Sequence, residues 1–143
     1  MSEKRNHKIK TFVVGDSLYS LNQLLEILRE TNGDFEIFAA LNQDALKRFD
    51  EMKREKGDID LITINFCDSA NSVELVRECF KRGSSAFPTI LCAPSISEVE
   101  SALKNYLRMN EQYIIYLQEG FGEDEFRGAL KRALPRIKLP ELG

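Results

Sequence analysis

The hydrophobic period of the chain switches repeatedly between strand-like and helix-like. Lys10-Thr11-Phe12-Val13-Val14 is a short β-branched and aromatic run, the pattern of a strand buried on both faces. It ends at Gly15-Asp16-Ser17, and from Leu18 the spacing becomes helical, with Leu21, Leu24, Leu25 and Leu28 on one face. Asn32-Gly33 predicts the stop of that helix, with Gly33 as a left-handed cap. Phe35 to Ala39 predicts a second strand, and Asn42 stands where it can cap a second helix carrying Ala45, Leu46, Phe49 and Met52 inward. That helix closes in the charge run Lys53 to Lys56 before Gly57, most simply a solvated helix end.

The alternation continues to the end of the chain. Leu61 to Phe66 predicts the third strand, Ser69 to Ser72 a loop, and Val73, Val76, Cys79 and Phe80 a third helix closed by Gly83. Phe87 to Cys92 predicts a fourth strand, with Pro88 near its start where a missing N–H is tolerated. Ser97 is placed to cap a fourth helix with Val99, Ala102, Leu103, Tyr106 and Leu107, and Tyr113 to Leu117 predicts the fifth strand. Glu123-Asp124-Glu125 puts acids where the helix dipole favours them, opening a fifth helix with Phe126, Leu130, Ala133 and Leu134 that Pro135 ends.

Five strands alternating with five helices give an α/β fold with helices on both faces of a parallel sheet. Right-handed crossovers leave few topologies, and a flavodoxin-like three-layer α/β/α sandwich with strand order 2-1-3-4-5 is expected. One domain is expected over residues 1–143, with its core at about 8–134 and a short Pro-containing tail at 135–143. No internal repeat or low-complexity segment stands out.

Composition narrows the function classes. With 143 residues and a hydrophobic fraction of 43%, the chain has the size and apolar content of one globular domain. Twenty basic and 23 acidic residues give a net charge of -3, which offers no electrostatic case for nucleic acid. No apolar run approaches the ~20 residues of a membrane helix, and the polar, basic start Met1 to Lys10 lacks the apolar region of a signal peptide. Three cysteines in no zinc-like spacing argue against a disulfide framework, so a reduced, cytoplasmic protein is expected.

Candidate chemistry concentrates at one strand end. Asp60-Leu61-Ile62-Thr63-Ile64-Asn65 reads as a buried strand delivering one polar side chain, Asn65, to its C-terminal end. In open parallel α/β sheets that end is where ligands sit.

The chain resembles a response-regulator receiver domain of two-component signalling over roughly residues 8 to 134. Phe12-Val13-Val14-Gly15-Asp16-Ser17 resembles the first-strand motif that normally ends in two acids. Asp60 to Asn65 resembles the third-strand motif that normally ends in the phosphoacceptor aspartate. Tyr116-Leu117-Gln118-Glu119-Gly120-Phe121 resembles the fifth-strand segment with its aromatic switch, followed by Lys-Pro-Phe.

The resemblance implies a site at which two first-strand acids and the acceptor carboxylate hold Mg²⁺, a lysine neutralises the phosphoryl group and a hydroxyl bonds it. This chain departs at nearly every position. The first acid is Gly15, leaving Asp16; the acceptor is Asn65; the hydroxyl position is Ala93; the lysine is Glu119 and the following proline Gly120. An amide is a poor nucleophile beside a carboxylate, one acid cannot hold Mg²⁺ as three do, and Glu119 repels phosphate. The expectation is a degenerate, or pseudo-, receiver with no catalytic residue, no resident metal and no cofactor. Tyr116 falls at the switch position; with Ala93 beside it, a ring held permanently inward is expected, which an outward, solvent-exposed ring would contradict.

Plainer readings stand beside these. Asp16 serves more simply as a helix cap or a hydrogen-bond partner of Asn65 than as a metal ligand. Cys67 and Cys92 lie near the ends of neighbouring strands and could form a redox pair, but two buried inert thiols are the better reading. His7 lies in a polar arm with no ligand cluster, and Gly120-Phe121-Gly122 reads as a turn. The leading functional expectation is a non-enzymatic signalling module acting by protein–protein contact through the helix 4/strand 5/helix 5 face, where Tyr106 and Tyr116 offer aromatic anchors. A homodimer is left open. The alternative is a small-molecule-binding or catalytic domain on the same scaffold, using a pocket around Asp16, Asn65, Ala93 and Glu119.

Overall fold

The computed structural model describes residues 8–30, 35–57, 59–66, 69–82, 88–103, 114–118 and 120–133. Five parallel strands, β1 (Ile9–Gly15), β2 (Phe35–Leu41), β3 (Leu61–Asn65), β4 (Thr89–Ala93) and β5 (Ile114–Gln118), form one sheet of order β2-β1-β3-β4-β5. Between and after them run α1 (Leu18–Glu30), α2 (Ala45–Lys56), α3 (Ser69–Arg82), α4 (Ile96–Leu103) and α5 (Glu123–Ala133). This is the flavodoxin-like order that the alternation of periods predicts.

The strands form where they do because their side chains are apolar on both faces. Phe12 and Val14 of β1 enter one core layer with Ile62, Ile64 and Leu91 of the neighbouring strands, against Phe49 and Met52 of α2, Val76 and Cys79 of α3, and Val99 and Leu103 of α4. Val13, Leu61, Ile90 and Leu117 enter the opposite layer against α1 and α5, whose Leu24, Leu28, Phe126 and Leu130 are buried there. The rings of Phe12 and Phe49 pack tilted with centroids 5.8 Å apart, tying α2 to β1.

At the N-terminal edge of the sheet, Asp60 is structural. Its Oδ2 accepts from the Lys10 N–H at 2.9 Å, while its own N–H donates to the Lys10 carbonyl at 2.9 Å. This reciprocal pair extends the β1–β3 ladder one residue before β3 begins.

Several element ends differ from those the pattern predicts. Asn42 does not cap α2: it begins a single 3-10 turn, Asn42–Asp44, and no side chain caps either start. Ser69 to Ser72 belong to the first turn of α3 rather than to a loop. That polar turn carries no apolar stripe, so periodicity is silent there. Ser95, not Ser97, caps α4, its Oγ accepting from the Glu98 N–H at 3.4 Å. Ala102 is exposed, leaving Val99 and Leu103 as the buried residues of α4. Pro88 lies just before β4, and its carbonyl accepts from the Ile62 N–H at 3.0 Å. Gly33, Gly83, Phe87, Tyr106, Leu107, Tyr113, Leu134 and the tail at 135–143 lie outside the described residues.

Thr63, in the middle of β3, is fully buried, and its Oγ1 finds no hydrogen-bond partner among the described residues. A buried unpaired hydroxyl costs about 1–3 kcal/mol relative to a satisfied one. Thr63→Val, which keeps the β-branched shape, is therefore expected to raise the unfolding free energy by about 1 kcal/mol, read as a higher urea midpoint with unchanged m value; a lower midpoint would show that the hydroxyl is satisfied after all.

Candidate functional site

The C-terminal end of the sheet is assembled from the ends of β1 and β3 and the start of α1. In the parallel register, Gly15 lies opposite Asn65 on one side and Leu41 on the other. Immediately after Gly15 the chain turns through Asp16 and Ser17 into α1. The cap of α1 is Ser17, not Asp16: Ser17 Oγ accepts from the Ser20 N–H at 3.2 Å, and the Leu21 N–H donates to the Ser17 carbonyl at 3.0 Å. Asp16 is half-buried at the mouth of this turn.

Asn65 is 9% exposed, and its side chain points toward α1. Its Nδ2 donates to the Ser20 carbonyl at 3.0 Å and to Gln23 Oε1 at 3.1 Å. An amide nitrogen has two protons, so these two bonds use both and leave neither for Asp16. The Ser20 carbonyl lies inside the first turn of α1, so the contact fastens that turn to the end of β3. A carboxylate has no proton to give, and an aspartate here would set oxygen against oxygen. In the folded chain the amide of Asn65 is a donor to α1.

Gly15 makes the same point sterically. A Cβ built on Gly15 would lie 2.5 Å from Leu21 N, 2.8 Å from its Cα and 2.9 Å from its Cβ. All three distances are below contact, and two of the atoms are helix backbone that cannot swing aside. The missing acid at this position is thus the space into which α1 packs. Gly120, where the resembled motif carries proline, has φ +91°, which a proline ring fixed near −65° cannot adopt.

Of the remaining positions, Ala93 and Tyr116 meet in one layer. Ala93 is 2% exposed and buries its methyl in the α2–α4 layer, against which the half-buried Tyr116 also packs. The residue opposite Asn65 on β4 is Cys92, one position before Ala93. Glu119 lies outside the described residues. Gln118, one residue earlier, donates from Nε2 to the Pro94 carbonyl and ties the ends of β4 and β5 together. Ser20 and Gln23, the two acceptors that decide the site, carry no signal in the sequence, because a backbone carbonyl and a helical glutamine are ordinary.

Mg²⁺ needs several hard oxygen ligands in near-octahedral array. Among the described residues no three His, Cys, Asp or Glu side chains cluster to hold a metal ion. With glycine at the first acid, a donor amide at the acceptor and Asp16 the one carboxylate beside them, the described residues do not fit the metal that the resemblance implies. Cys92 is fully buried, and burial pushes its thiol well above the usual range; Cys79 is pushed up to about 12, burial again dominating over the nearby Arg82. Both are neutral, unreactive thiols at neutral pH. Cys67 lies outside the described residues.

The packing at Gly15 sets a direct expectation. Gly15→Ala should destabilise the fold by about 1–3 kcal/mol, the usual cost of overpacking a dense site, measured by urea unfolding, with Gly128→Ala, on the exposed side of α5 where nothing beyond its own helix backbone lies within 4 Å of the new methyl, as a control expected to gain about 1 kcal/mol from helix propensity. Equal stability of the Gly15 variant and wild type would mean that α1 does not sit against β1 as described.

No protein-family model matches the chain, and no curated protein matches it. Among solved structures it is similar to the signal receiver domain of an HD domain-containing protein from Pseudomonas fluorescens, with 16% sequence identity and a TM-score of 0.65, over 90% of this chain and 96% of that one. At this identity the likeness speaks to the backbone alone. The chain has the flavodoxin-like fold that receiver domains share.

Proposed function

We propose that this chain is a receiver-like signalling module that takes no phosphoryl group and acts through contact with a protein partner. The observation that carries this reading is the double donation from Asn65 Nδ2 to Ser20 O and Gln23 Oε1. A receiver that accepts phosphate needs an anionic nucleophile facing a metal ion and open space. Here the equivalent side chain is neutral, faces a helix and is consumed by structural hydrogen bonds. Gly15, packed against Leu21, supports the same reading, because the metal-binding acid cannot be put back without moving α1.

Tyr116 fits this function without a switch. Its half-buried ring packs on the layer that holds Ala93, so no hydroxyl movement is needed to draw it inward. The surface beside it is the exposed side of α4 and α5 together with the end of β5, where Glu98, Glu100, Glu123, Asp124 and Glu125 are exposed. Lys131 and Arg132 are exposed at the far end of α5 and Glu123 is paired with Arg127, so the acidic part of that surface lies on α4 and at the start of α5, where a partner's cations would fit. Constitutive docking replaces the phosphorylation-gated docking of a working receiver.

The test uses acetyl phosphate, and separately beryllofluoride, each with Mg²⁺. Intact mass and amide chemical shifts of the wild-type chain are expected to stay unchanged, and a Mg²⁺-dependent adduct or a shift centred on Asn65 would overturn the reading. Asn65→Asp is expected to gain no adduct and to lose stability. Gln23 can turn its amide over to donate, but the Ser20 carbonyl cannot, so one oxygen–oxygen contact remains. That contact disfavours the charged carboxylate and raises its folded pKa above the unfolded value of about 4. A raised carboxyl pKa means the folded variant binds its proton more tightly, so the deficit relative to wild type grows as pH rises from about 4 toward 7 and shrinks in acid. Urea midpoints of the two proteins across that range read it directly.

A further inference from the structure

We draw no further inference here: the strongest candidate, the outer edge of β2 with the open cavity beside it, sets Asp44 and Glu51 against Lys47 and Arg48 in even balance of charge, and nothing in the structure shows what covers it.

Discussion

The fastening of α1 onto the end of β3 is the contact on which the upper half of this molecule depends. It has two components that require each other. Gly15 offers no side chain, so the helix backbone at Leu21 can approach β1 to a distance that any Cβ would forbid. Asn65 then supplies donors to the Ser20 carbonyl and to Gln23, which that approach brings within reach. Without glycine the helix would stand off and the amide would have nothing to donate to. Without the amide, a backbone carbonyl near the buried strand end would lose a partner.

This pairing fixes the polarity of the strand end. The end of β3 is a neutral donor closed over by a helix. Nothing in that polarity alters the sheet, since the apolar alternation that builds the two layers is indifferent to the polarity of the last residue of β3. The fold therefore does not depend on which polar group this position carries.

How much of this was legible beforehand depended on the range of the interaction involved. The strands were legible because continuous apolar runs such as Phe12-Val13-Val14 and Leu61-Ile62-Thr63-Ile64 have one physical solution, burial on both faces. The starts of α3 and α4 were not, because a polar first turn carries no stripe and several serines compete for the cap; Ser95 prevailed over Ser97 through a backbone geometry that one-dimensional spacing does not contain. Asp16 is a cap candidate by residue type, yet Ser17 has the position from which its oxygen meets the Ser20 N–H.

The sequence by itself determined the apolar runs that build the two core layers and the presence of an amide rather than a carboxylate at position 65, because each follows from local composition and period. Only the tertiary structure decided what that amide does. Asn65 and its acceptors are 45 and 42 positions apart, and Gly15 matters only through the Leu21 backbone that folds back onto it. Such contacts exist once α1 has been placed against the sheet by its own buried leucines, and the placement is a property of all the layers packing together rather than of any one segment.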